Sequence, residues 1–64
     1  MRVDKNKILL IMAKRNMLQK DLAYKAEMSR SNLSTIINGK SVQTKTAYKI
    51  AKALEVDVED IIEQ

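Results

Sequence analysis

Apolar residues along this 64-residue chain recur at intervals of three and four rather than two, the spacing of helices that each bury one face. Asp4 is placed to cap a first helix reaching about Arg15, with Ile8, Ile11 and Met12 as its inward stripe and Asn16 as a left-handed stop. A second helix is expected from Gln19 to Ala26 on Leu22, Ala23 and Ala26. After the break Glu27-Met28-Ser29, Ser29 caps a third helix to Asn38 whose Leu33, Ile36 and Ile37 form a narrow apolar face, and Gly39 closes it. Thr44 is expected to cap a fourth helix on Ala47, Ile50, Ala51 and Leu54, and Val58, Ile61 and Ile62 mark a short fifth. The pattern therefore predicts an all-α fold of five short helices, one domain over residues 1–64. Asn38-Gly39 is also a hairpin dipeptide, but Ile36 and Ile37 are adjacent rather than alternating and a lone hairpin leaves Leu33 unexplained.

The third helix carries an unusual outer face. At about 100° per residue, turning Leu33, Ile36 and Ile37 inward puts Ser31 and Thr35 nearly opposite, with Asn32, Ser34 and Asn38 on the flanks. That face is short, polar and free of acid, whereas an ordinary solvated helix would carry Glu and Lys pairs. Short donors and acceptors let a helix sit deep in a DNA major groove, and Arg30 in the first turn has the fork that grips guanine or a phosphate.

Charge supports a polyanionic partner. All 12 Lys and Arg and only three acids lie in residues 1–54, while Glu55, Asp57, Glu59, Asp60 and Glu63 crowd the last ten. The chain has no Cys and no His, so disulfides, the usual metal ligands and the usual general bases are missing, and neither metal nor cofactor is expected. A catalytic pair of Ser41 with Lys40 or Lys45 has no base or oxyanion signal beside it, so no enzyme is expected. The longest apolar run, Ile8 to Ala13, is too short to span a membrane, and a cytoplasmic location is expected.

The stretch LQKDLAYKAEMSRSNLSTIINGK followed by TAYKIAKALEVDVEDII resembles the lambda-repressor-like, Cro-type helix-turn-helix family, also called the XRE family, over nearly the whole chain. The matching features are Gln19 with Leu22-Ala23, Ser29, Leu33 and Ile36, Asn38-Gly39-Lys40, and Ile50 to Leu54 with Val56. The resemblance implies a sequence-specific, repressor-like transcriptional regulator whose third helix enters the major groove of double-stranded DNA. It makes Arg30, Ser31 and Thr35 base readers, puts Asn32 at a base or a phosphate, and makes Gln19, Lys20, Asn38 and Lys40 phosphate contacts. The alternative is a helix-turn-helix scaffold used for protein contact, as in an antitoxin or adaptor, which the surplus aliphatics of "ILLIM" would serve.

Departures from the family pattern are informative. Leu18 stands where Ser or Thr usually caps the second helix, Glu27 stands where glycine is common, and Met12 with Ile37 replaces a frequent Arg–Glu pair by an apolar one. A domain this small reads few base pairs, so a homodimer on half-sites about 10 to 10.5 bp apart is expected, joined through Ile62 or through Leu9 and Leu10.

Overall fold

The computed structural model describes residues 1–63, in which four helices, α1 (Lys5–Lys14), α2 (Gln19–Lys25), α3 (Arg30–Ile37) and α4 (Thr44–Ala53), are followed by a 3₁₀ turn at Val58–Asp60. The fold is all-helical as expected, but the fifth helix is not formed. Only three residues turn between Asp57 and Ile61 before the chain straightens, and Ile62 makes an antiparallel bridge to Val3. That bridge is held by the Asp4 amide donating to the Ile61 carbonyl at 2.6 Å and the Glu63 amide donating to the Arg2 carbonyl at 2.9 Å. A helix continuing past Ile61 would break this pairing, so the two chain ends set its limit.

All four helices end in the same way. In each, the second residue past the last helical turn has a positive φ: Asn16 (52°), Glu27 (58°), Gly39 (117°) and Glu55 (60°). The two amides at each end reach back to helix carbonyls, as when Gly39 donates to Ile36 and Lys40 to Thr35, both at 3.1 Å. This is the Schellman arrangement, and it is completed by an apolar residue that folds back on the helix. Met17, Met28 and Val56 fill that role after α1, α2 and α4, half-buried against the core. Only Gly39 occupies its turn without a side chain; the others carry a Cβ into left-handed backbone at a cost of roughly 1 to 2 kcal/mol each. Replacing Glu27 by Gly should therefore raise stability by about 1 kcal/mol, less the entropy that glycine adds to the unfolded chain. A urea midpoint unchanged or lowered by Glu27→Gly would refute that strain.

The helix starts are less uniform. Asp4 Oδ1 accepts from the Lys7 amide at 3.1 Å and Ser29 Oγ from the Asn32 amide at 3.0 Å, so both expected caps form. Leu18 has no side-chain acceptor, and α2 keeps only the reverse half of the box, the Leu18 amide donating to Asp21 Oδ2 at 3.0 Å. Helix α4 begins one residue earlier than Thr44 would allow as its cap. The Gln43 carbonyl accepts from the Thr46 and Ala47 amides, making Gln43 the extended capping residue and Thr44 the first helical one.

Stripes from every element meet in one core, where Ile8, Leu22, Leu33, Ile36, Ile50, Leu54 and Ile61 are fully buried. Met12 and Ile37, the apolar replacement for a charged pair, are both inside it. Among the described residues no charged or polar side chain is buried, so nothing ionic competes with packing there.

Candidate nucleic-acid interface

Helix α3 is held from behind by α2 and the core. Leu33, Ile36 and Ile37 point inward with 2% exposure or less. Arg30, Ser31, Asn32, Thr35 and Asn38 are consequently all on the exposed side, with Ser34 half-buried between them. Inward anchoring matters because base readout requires side chains placed to within a fraction of an ångström, and the buried stripe fixes the helix rotation.

The outer face is partly pre-arranged. Thr35 donates its hydroxyl to the Ser31 carbonyl at 2.9 Å, one turn back. Its lone pairs and its methyl group stay available. Asn38, at the end of α3, is clamped from two sides: its amide nitrogen donates to the Ser34 carbonyl at 2.9 Å, and its Oδ1 accepts from Lys5 Nζ at 3.1 Å. The same amide nitrogen also donates to Ser34 Oγ at 3.5 Å, and two ammonium hydrogens of Lys5 remain free. Lys5 therefore brings a second cation to the end of α3 from a distant part of the sequence. Spacing within α3 gives no hint of it, since the two residues are 33 apart.

Lys40 follows Gly39 in the loop to α4 and is exposed. A shallow groove of 190 Å³ has Asn32 and Ile36 on one side and Lys40 to Gln43 with Thr46 on the other, so Asn32 and Lys40 flank the same depression. The loop is anchored to the chain start, where the Val42 amide donates to the Met1 carbonyl at 2.7 Å. At the other end of the unit, Lys20 is exposed and Gln19 half-buried in the first turn of α2. The expected seam residues differ among themselves: Leu9 and Leu10 are exposed at 38% and 59%, while Ile62 is half-buried against the core and tied to Val3. Among the described residues no group of three or more acidic side chains is arranged to hold a metal, and no helix is long and apolar enough to cross a membrane.

Two helices joined by a tight left-handed turn, the second anchored by three aliphatics and polar outside, define a helix-turn-helix nucleic-acid-binding unit. A family model for the Cro/C1-type helix-turn-helix DNA-binding domain matches residues 7–64, and the chain belongs to that family. It is 43% identical over 58 residues to a Methanocaldococcus jannaschii protein described as an uncharacterized HTH-type transcriptional regulator, a match covering 89% of this chain and 88% of that one. Its structure is similar to that of a wild-type restriction-modification controller protein, with a TM-score of 0.74 and 35% identity over 83% of this chain and 70% of that one. The protein is a DNA-binding regulator of the helix-turn-helix type, and the protein-contact scaffold is not favoured.

Proposed function

We propose that this chain is a sequence-specific regulator of transcription in the cytoplasm, acting as a homodimer on operator DNA, and that it binds rather than catalyses. One observation carries the reading: α3 turns a row of exposed, acid-free residues outward while its other face is locked into the core. Arg30 and Asn32 supply hydrogen bonds to base edges, Ser31 a short hydroxyl that does not hold the helix off, and Thr35 a methyl group suited to thymine. Gln19 and Lys20 grip phosphate on one side of the groove, and Lys40, Asn38 and Lys5 on the other. The similarity to a controller protein of a restriction-modification system makes a gene of such a system one operator to try.

Selection of bound duplexes from a random pool, followed by titration of variants, tests this assignment. Lys40→Ala and Lys5→Met should each weaken binding to every sequence and reduce the salt slope by about one unit, whereas Arg30→Ala should cost about 1 to 3 kcal/mol on the selected site alone. Equal losses on selected and random DNA for all three would remove the distinction between readers and phosphate contacts. Failure of any sequence to enrich would remove the regulator reading itself.

A further inference from the structure

Asn38 caps α3 and is followed by Gly39, the only Asn-Gly step in the chain. The turn demands that glycine. Its φ of 117° strains any side chain, although no protein atom stands within 4 Å of where a Cβ would be, so conformation rather than crowding excludes other residues. The Gly39 amide nitrogen is therefore an unhindered nucleophile beside the Asn38 carboxamide. Asn6, Asn16 and Asn32 precede Lys7, Met17 and Leu33, whose side chains obstruct the same approach. In the folded chain both reacting groups are engaged elsewhere. The Gly39 amide donates to the Ile36 carbonyl at 3.1 Å, and the carboxamide is drawn back along α3, its Nδ2 donating to the Ser34 carbonyl at 2.9 Å and its Oδ1 accepting from Lys5 Nζ at 3.1 Å. Lys5 and Asn38 are exposed and Gly39 is half-buried, so these surface bonds open more readily than the buried stripe of α3.

We propose that Asn38-Gly39 is a self-modification site and that Lys5 is the positioning residue that restrains it; the consequence for DNA rests on the phosphate contacts proposed above, whereas the chemistry does not. When the end of α3 opens, the two groups can reach attacking geometry. The Gly39 nitrogen gives its proton to solvent and bonds to Asn38 Cγ, the bond from Cγ to Nδ2 breaks, and Nδ2 leaves as ammonia with a proton taken from solvent. Water then opens the cyclic imide at one carbonyl to give Asp at position 38, or at the other to give isoaspartate, with the main chain running through the side-chain carbon. One water enters and one ammonia leaves, and nothing is oxidised. Either product puts a carboxylate where a neutral amide stood. The Asp form pairs with the Lys5 ammonium and withdraws that cation from phosphate. The isoaspartyl form lengthens the main chain before Gly39, which puts the bonds from Gly39 to Ile36 and from Lys40 to Thr35 out of register and displaces Lys40. Both changes loosen the grip on every duplex rather than the choice among sequences. DNA affinity thus falls as the protein ages, at a rate that Lys5 sets.

The experiment incubates the full chain at physiological temperature and follows each asparagine by peptide mapping and mass spectrometry. Conversion should be confined to Asn38, leaving Asn6, Asn16 and Asn32 intact. Lys5→Met, which removes one bond of the clamp, should convert about threefold to tenfold faster than the parent with its thermal unfolding little moved, and Lys5→Arg, which keeps a donor for Oδ1, should restore the slower rate. Asn38→Asp, a stable copy of one product, should bind selected and random duplexes about threefold to tenfold more weakly than the parent. Absence of conversion at Asn38, or equal conversion at the other three asparagines, overturns the site. A Lys5→Met rate equal to the parent's, or a Lys5→Arg rate as fast as that of Lys5→Met, overturns the role of Lys5. If Asn38 converts as expected but Asn38→Asp binds every duplex like the parent, the chemistry stands and the loss of affinity with age is overturned, together with the phosphate contact assigned to this end of α3.

Discussion

Leu33→Ala should leave the protein largely unfolded at room temperature. Leu33 is wholly buried on the inner face of α3, and truncating such a leucine costs about 2 to 5 kcal/mol through lost transfer energy and the cavity left behind. A core in a chain of this length rarely supplies more than about 3 to 5 kcal/mol, so the substitution removes most of the stability. With a urea slope near 1 kcal/mol per molar for so small a domain, the midpoint should fall by about 2 M or more. Ser31→Ala, two residues away on the exposed face, should stay within about 0.5 kcal/mol of the parent. Excess operator DNA should partly restore the fold of Leu33→Ala, because DNA binds the native state alone. A midpoint shift worth less than about 1 kcal/mol would mean that α3 is not anchored by its aliphatic stripe, and the rigid reading face would lose its basis.

The inner faces of the helices were legible because burial repeats with the helical period: Ile8, Met12, Leu22, Leu33, Ile36, Ile50 and Leu54 all lie where that period puts them. Asn16, Glu27 and Gly39 mark helix ends that sequence and structure share. Glu55 uses the same left-handed turn without any glycine or asparagine to announce it, because the folded-back Val56 holds the turn by packing rather than by propensity. The fifth helix failed for a reason that lies outside its own residues. Val58, Ile61 and Ile62 have helical spacing, but the backbone of Ile61 and Glu63 is bonded to Asp4 and Arg2, a pairing between chain ends that no local pattern encodes. Thr44 and Gln43 differ by one residue because the capping carbonyl comes from the residue that the loop leaves extended, not from the better capping side chain. Within the site, the exposed row of α3 followed from the position of its stripe. The Lys5–Asn38 bond did not, since it joins the first residue of α1 to the residue that caps α3, 33 positions away in the sequence.

Thr35→Glu should reduce binding to the selected operator to the level of random DNA, a loss of about a thousandfold. Thr35 is exposed one turn along from Ser31, and in the docking proposed above a carboxylate there would enter the groove between two rows of phosphates. The docked helix excludes much of the water that would screen it, and the acid cannot reach solvent without lifting α3 away from the bases. The fold is untouched apart from the hydroxyl bond to the Ser31 carbonyl, so thermal unfolding should move little. Thr35→Gln separates bulk from charge: it has the same length as Glu without the charge and should lose no more than the contribution of one base contact, about 1 to 3 kcal/mol. Tyr24→Glu separates local from global charge. Tyr24 is 86% exposed on α2 and shares a groove with Arg15 and Asn16 at the end of α1, so this variant adds the same negative charge away from α3 and should alter affinity only slightly. Fluorescence anisotropy on selected and random duplexes at two salt concentrations reads all three. If Tyr24→Glu weakens operator binding as much as Thr35→Glu, net charge alone explains the loss; if Thr35→Glu still prefers its operator over random DNA, α3 does not present Thr35 to the bases.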